Sequence, residues 1–595
     1  MLLALSRGTR AATVRRTLAT FALDSPSFPD LRARRDAYVD KTSAIADLLM
    51  GDEGMHRHTR AFFARPRKFG KSLTLDIAAE MLAAGELPPG VAPWPGRVPV
   101  DVDAVFGGLA VHERLRTRDP TLRGLLQRAH FVVNINLGVA QTGAELKCAI
   151  FDALADAAGA AFGAALKAEV RAAGTTGGAM SALVSAVPRG VPVALFIDEY
   201  DAAIIQDVSE DDWVSAKAGI KALRSLAMFT KSPHFGSRIK RCLITGVARF
   251  SRTSLFSGAN NFVDLTEAPL LSRALGFSEA EIRATFPEEL AKLAGSLRTD
   301  VDGAVAQLAH WYNGYCFDGA TSCFNPFPVL STLCAGNITE RELEAASGTN
   351  WLSLAPGAVV AGLAEELRVG ARIDTASIDI DNLQAQQVRV VPLLLQTGLL
   401  SAVAGQPEVC RAPNEYARRS LQLLVKKALA VSPVALTSFS YALRNRNREA
   451  FSAAVLRSLE QLPRSLFKRD SGGDVRPREA VYHGSLFLAL KATAPAGIDV
   501  QSQVSSLRGV ADLVISFSGA PHAAAWVLEI GLGSDAAAKL PQAQDYAAAR
   551  GEPEVFCCSV AVKAGEGAEP ASAAAGGAAV ALAWSRRVGT SWERA

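Results

Sequence analysis

The sequence predicts an α/β protein: a parallel sheet with crossover helices, a helical stretch after it, and a second, smaller α/β unit at the end. Three observations carry this. From Phe62 onward, short apolar runs alternate with long helical patterns. One such run leads through Gly70-Lys71-Ser72 into a helical pattern. Another, Val193–Ile197, ends in two adjacent acids, Asp198 and Glu199.

Bulk properties agree with this class. A chain of 595 residues exceeds one hydrophobic core, so roughly two to four domains are expected. Apolar residues make up 49% and charged residues 21%, an ordinary globular balance. A net charge of +4 is too small to point to nucleic acid by itself. The chain has no run near the roughly 18 uninterrupted apolar residues a membrane helix needs. Its Ile150–Leu166 stretch carries Asp152 and Asp156 and reads as an Ala-rich soluble helix. The eight cysteines form no C-x-x-C pair. Cys557 and Cys558 sit in an apolar run and are expected as buried strand residues, which suits a reducing compartment.

Residues 1–24 stand apart. Arg7, Arg10, Arg15 and Arg16 lie among Ser, Thr and Ala, with no acid before Asp24. This composition fits a mitochondrial or plastid transit peptide, or a disordered leader.

Expected strands are Ala61–Phe63, Phe131–Leu137, Val193–Ile197 and Cys242–Thr245, each ending near Gly or a polar residue, as strands of a parallel sheet do beside a site. Pro and Gly make Leu87–Arg97 a surface loop. After Gly276 the pattern turns helical, with Ser278 and Glu281 spaced for a capping box, and continues with breaks to about Leu400. A long amphipathic helix is expected from near Asn414, then strands at Val510–Phe517 and Trp526–Ile530. Ala564 to Ala579 is Gly, Ala, Glu and Ser, expected as a flexible insertion between strands. The domain reading is therefore 25–285, 286–405 and 406–595, with the insertion at 564–579.

Arg65-Pro66-Arg67-Lys68-Phe69-Gly70-Lys71-Ser72 has the strand–loop–helix setting of a phosphate-binding loop. Gly70 lets backbone approach a phosphate, Lys71 can reach the β and γ phosphates of ATP, and Ser72 can ligate Mg²⁺. The helix N-terminus adds unpaired N–H groups and its dipole. Arg65 stands where the general motif opens with Gly, and a bare G-K-S also suits a basic surface turn. The support is Asp198-Glu199. Two carboxylates at the tip of an apolar strand are costly unless they serve something. In P-loop ATPases the first holds Mg²⁺ and the second orients the attacking water. Thr245, ending the next apolar strand, is the candidate γ-phosphate sensor. Arg249 and Arg252 are candidates for stabilising transition-state charge, or are surface arginines.

With these residues in view, the chain resembles the AAA-ATPase-like proteins that carry a C-terminal nuclease-like domain of the PD-(D/E)XK superfamily. Carrying the likeness are Tyr38-Val39-Asp40-Lys41-Thr42, the 65–72 loop in the family's own form, Ile197-Asp198-Glu199-Tyr200-Asp201, Thr245 to Ser251, Asn260-Asn261, Trp311-Tyr312-Asn313-Gly314-Tyr315 and Asn325-Pro326. It covers roughly Ser27 to Leu400. It implies a P-loop NTPase parallel sheet with a helical subdomain, followed by a restriction-endonuclease-like domain, and it implies ATP and Mg²⁺. Read from the residues alone, Trp311–Tyr315 is a turn with packed aromatics.

In the C-terminal region, Asp512 on Gly509–Ile515 and Glu529 on Trp526–Gly531 resemble the metal-holding acids of such nucleases. The lysine expected two residues after the Glu is absent, and Gly531 stands there. Upstream, where an acid is common, stand Gln501 and Gln503, while Gln542, Gln544 and Tyr546 resemble the following helix. The expectation is a retained fold with degenerate chemistry, able to bind a cation or DNA; Lys539 is a candidate substitute from the helix whose position the sequence does not place. Three functional readings follow: an ATPase coupled to the nuclease-like module, a nucleotide-switched interaction or DNA-binding protein without turnover, and a metal-dependent nuclease regulated by ATP.

Overall fold

A computed structural model describes residues 27–50, 60–117, 119–209, 212–232, 236–249, 262–338, 394–420, 433–460, 479–495, 497–506, 509–517, 524–532, 535–548, 554–563, 579–588 and 591–594. The leader, Arg252, Asn260-Asn261, much of the expected helical stretch and the insertion up to residue 578 lie outside them.

The N-terminal sheet contains β1 (Arg60–Ala64), β2 (Phe131–Asn136), β3 (Val193–Asp198), β4 (Ile239–Gly246) and β5 (Val263–Asp264). Their order is β2-β3-β4-β1-β5, and every neighbouring pair is parallel. The four expected strands are present within a few residues of their expected bounds. β5 was not expected, because two residues cannot display an alternation.

Both faces of the sheet are buried, which is why its strands are continuously apolar. Phe62, Leu195, Ile197, Cys242 and Ile244 face one core with residues of the helices Gly143–Phe162 and Trp213–Phe229. Their neighbours Ala61, Phe63, Ala194, Phe196 and Leu243 face the other, with the helices Thr42–Met50 and Lys71–Ala83.

A helical group follows. Ser278 and Glu281 form the expected capping box on Glu279–Thr285. Pro287–Leu297, Val301–Tyr312 and Pro326–Ala335 pack around Phe286, Leu290, Leu308 and Tyr312. A short hairpin, β6 (Tyr315–Cys316) and β7 (Ser322–Cys323), interrupts them. A second pair is β8 (Ser401–Val403) with β9 (Gln406–Arg411).

The C-terminal sheet is β10 (Ile498–Ser506), β11 (Gly509–Phe517), β12 (Ala524–Leu532), β13 (Glu554–Lys563), β14 (Ala579–Val588) and β15 (Ser591–Arg594), in chain order. All pairs are antiparallel except β12–β13, which is parallel and needs the crossover helix Leu540–Ala547. Trp526 anchors one face: the Phe451, Phe517 and Trp584 rings surround it at centroid distances of 5.0–5.4 Å, and Phe451 and Trp584 lie 6.0 Å from each other. Cys557 and Cys558 are buried in β13, as expected, and are free thiols. Among the described residues, no helix is long and apolar enough to cross a membrane.

Candidate functional site

The site forms where β1, β3 and β4 end. Because β4 lies between β1 and β3, Thr245 is in register with Phe63 of β1 while Ile244 pairs with Ile197 of β3. The last residues of three strands therefore converge: the 65–70 loop after β1, Asp198-Glu199 after β3, and Thr245 on β4.

The loop turns through two left-handed residues, Lys68 at φ 66° and Gly70 at φ 88°. Above Gly70 the space is open: an added Cβ would meet nothing within 4 Å. Such a loop ahead of a helix is an anion-binding concavity. The Lys71 ammonium is buried and donates to the carbonyls of Arg65 and Pro66, both at 3.0 Å. Burial lowers its pKa, opposed by Asp198, Asp201 and Glu199. Ser72 Oγ donates to Asp198 Oδ2 at 2.5 Å. A hydroxyl and a carboxylate meeting beside a phosphate loop fit Mg²⁺, which takes few protein ligands and completes its shell with water and phosphate.

Arg65, at the position where the general motif has Gly, is 1% exposed. Its Nη1 donates to the carbonyls of Ala64 and Thr266, and its guanidinium lies 4.1 Å from the Phe317 ring centroid. Its Nε and Nη2 find no partner among the described residues. Burial brings its pKa down to about 10. Thr245 Oγ1 is likewise buried without a partner. Orphaned buried donors are costly. Of the remaining loop residues, Pro66 is buried against Gly398, Arg67 is exposed, and exposed Lys68 reaches Phe327 at 4.6 Å. Phe69 is buried between Tyr315 and Phe317 at 5.0 and 5.5 Å. Packing was the reading for Tyr315; that its partner is the phosphate loop was not foreseen.

Glu199 is held in a left-handed conformation, φ 49°. Its carboxylate crosses Gly138, which follows β2: a Cβ there would lie 2.1 Å from Oε2. Tyr200 and Asp201 then tie this turn to β4. Tyr200 donates through its hydroxyl to the Ala248 carbonyl at 2.8 Å, and through its N–H to the Thr245 carbonyl at 3.3 Å. Asp201 accepts from the N–H groups of Val247 (2.8 Å) and Ala248. Burial pushes its carboxyl up to about 6. Tyr200 and Asp201 stand in the sequence only as part of the 197–201 motif, with no role of their own, and Gly138 carries no signal there.

Arg249, read from the sequence as a candidate for transition-state charge or a surface arginine, is ion-paired. It pairs with Asp264 at 2.6 Å and Glu267 at 2.5 Å, beyond β1 on the β5 side.

The C-terminal acids also meet. Asp512 on β11 accepts from the Ile530 N–H at 2.8 Å, and its own N–H donates to Glu529 Oε1 at 3.3 Å. Burial and neighbouring Asp512 push the Glu529 carboxyl well above its ordinary range. His483, buried beside them, bonds the Asp512 carbonyl at 2.9 Å. Gln501 bonds Asp499, Gln542 bonds Tyr546, and Gln544 reaches Ser585. Among the described residues, no three His, Cys, Asp or Glu side chains form a metal-holding group.

Residues 24–85 and 103–256 match the family model AAA-ATPase_like, described as Predicted AAA-ATPase. An uncharacterized protein in the vnfD 5′ region of Azotobacter chroococcum mcd 1 is 28% identical over 295 residues, 49% of this chain. The match spans 47% of that relative's own length. No solved structure matches the chain.

Proposed function

We propose that this chain, whose N-terminal region matches the AAA-ATPase-like family model, binds ATP with Mg²⁺ at the 65–72 loop and hydrolyses it. The observation that carries the reading is Ser72 Oγ on Asp198 Oδ2 at 2.5 Å, with Lys71 at the same loop. Lys71 exchanges the Arg65 and Pro66 carbonyls for the β and γ phosphates. Arg65 offers Nε and Nη2 to the same charge, and Thr245 Oγ1 meets the γ-phosphate. Ser72 and Asp198 hold Mg²⁺, which neutralises phosphate charge when bound. Glu199 orients the attacking water. In this reading Arg249 braces the β4–β5 side of the site.

The domain division at 285 and 405 belongs to the same proposal. So does a restriction-endonuclease-like fold for 406–595, supported by three antiparallel strands followed by a crossover helix and a parallel strand. Asp512 and Glu529 would there hold a divalent cation, since two carboxylates with water and substrate phosphate suffice. DNA is the partner such a module would take.

The test is ATP titration and phosphate release with the full chain and Mg²⁺, beside Lys71→Ala and Glu199→Gln. Wild type should bind and turn over, Lys71→Ala should lose binding, and Glu199→Gln should bind with turnover down by roughly 10²-fold or more. Turnover unchanged in Glu199→Gln would favour a nucleotide switch instead. Absence of binding at millimolar ATP would refute the assignment.

A further inference from the structure

The short stretch 394–400 bridges two edges of the phosphate-loop site. Leu394, Leu399 and Leu400 are buried in the core beneath the parallel sheet, which fixes its path. At one edge, Gln396 Oε1 accepts from the Arg249 N–H at 2.9 Å, just past β4. At the other, Gly398 rests on the loop. A Cβ there would lie 2.9 Å from Pro66 Cγ and 3.2 Å from Tyr315 Cε1, and its φ of 79° suits glycine. The two edges adjoin, since the Arg65 N–H donates to the Gly246 carbonyl at 3.1 Å. The bond to Arg249 fixes the sense of the amide, because only its oxygen can accept. Gln396 Nε2 is therefore a donor, and it is buried with no partner among the described residues. Thr245 Oγ1 on β4 and Arg65 Nε and Nη2 at the head of the loop are orphaned in the same way. Unmade bonds of this kind are costly to keep without a use.

We propose that Gln396 is a further phosphate-contacting residue of this site, its Nε2 donating to the γ-phosphate of ATP when the loop is filled. This rests on the reading of residues 65–72 as an ATP loop. The two ends of the amide divide the work. Oε1 stays on the Arg249 N–H and holds the chain after β4. Nε2 meets an oxygen that ADP lacks, so the contact tells ATP from ADP. Gln396 also heads a strap. Beyond Gly398 the chain forms β8, where Ser401 Oγ accepts from the Cys316 N–H at 2.8 Å. Further on, Asn414 Nδ2 donates to the Asn313 carbonyl at 2.7 Å, and the Arg419 guanidinium lies 4.5 Å from the Trp311 ring centroid. A γ-phosphate that fixes Gln396 therefore tightens the stretch of chain that leads toward the C-terminal sheet.

The experiment titrates the full chain with Mg²⁺ and either ADP or the non-hydrolysable ATP analogue AMP-PNP, and follows amide hydrogen exchange in 398–420 by mass spectrometry. Gln396→Glu keeps an acceptor for the Arg249 N–H and removes the donor, so it guards against a folding defect. Gln396→Met keeps the length and removes both without adding charge. Wild type should bind both nucleotides, and AMP-PNP should slow exchange in 398–420 by about fivefold or more relative to ADP. Both variants should bind AMP-PNP weaker by roughly tenfold or more, hold ADP within about threefold, and lose the difference in exchange. AMP-PNP affinity untouched in either variant, or equal losses for the two nucleotides, would overturn the role of Gln396 and leave the loop standing. Equal exchange with the two nucleotides in wild type would overturn the strap. Failure of wild type to bind either nucleotide would remove the underlying reading and the proposal with it.

Discussion

The Glu199 carboxylate lies against the backbone of Gly138, so closely that a Cβ at residue 138 would come within 2.1 Å of Oε2. Gly138 follows β2, and Asn136 at the end of that strand is in register with Asp198. Asn136 also steadies the turn, its Oδ1 accepting from the Gly138 N–H at 2.8 Å. The loop after β2 thus sets where the Glu199 carboxylate can stand.

Gly138→Ala should displace that carboxylate without touching the phosphate loop. ATP turnover is expected to fall roughly 10–100-fold, with nucleotide affinity kept within about threefold. Phosphate release and ATP titration on one preparation check it. Equal losses in both would mean that the β2 loop also shapes binding.

Arg65→Met keeps an apolar stem against Phe317 and removes the guanidinium. If Nε and Nη2 serve a phosphate, ATP affinity should drop by roughly 10–100-fold. The melting midpoint should fall as well, because the carbonyls of Ala64 and Thr266 lose their donor. A lower midpoint with unchanged affinity would assign Arg65 to packing.

Arg249→Ala separates bracing from catalysis. Its pairs with Asp264 and Glu267 are partly exposed, so screening limits their worth. A stability loss of about 1–2 kcal/mol is expected, with turnover within about threefold of wild type. A hundredfold loss of turnover at unchanged stability would return Arg249 to the phosphates.

Asp201 gives a pH signature. Burial raises its carboxyl from 3.8 to about 6. Across that interval the native state holds the proton that the unfolded chain has released, so stability falls as pH rises through it and levels off above about 6. Asp201→Asn removes this term while one side-chain oxygen can still accept from Val247 or Ala248. The difference in melting midpoint, variant minus wild type, should therefore grow more positive from about pH 4 to pH 6 and then stay flat. Parallel curves would show that Asp201 titrates as it does in water.

The parts of the site that could be read from the chain are those whose meaning is local. The loop Arg65–Ser72 carries its strand, its turn residues and its helix start within a short stretch. Asp198 and Glu199 announce themselves because ionisable groups seldom end an apolar strand without a task. The capping box at Ser278 and Glu281 was legible for the same reason. Arg249 was harder: its partners Asp264 and Glu267 lie 15 and 18 residues on, too far along the chain for a local period to pair them. Tyr315 read as packing, and so it is, but its partner Phe69 lies far from it in the chain.

By itself, then, the sequence determined the α/β class, the main strands and the strand–loop–helix setting of residues 65–72, since backbone conformation and hydrophobic period are set by near neighbours. Tertiary structure alone decided that β4 runs between β1 and β3, that Glu199 rests on Gly138, that Asp201 grips the chain after β4, and that Lys539 fills the space above Gly531. Each of these joins residues brought together by crossover connections. Their contacts depend on how whole elements pack, which no short stretch of side chains specifies.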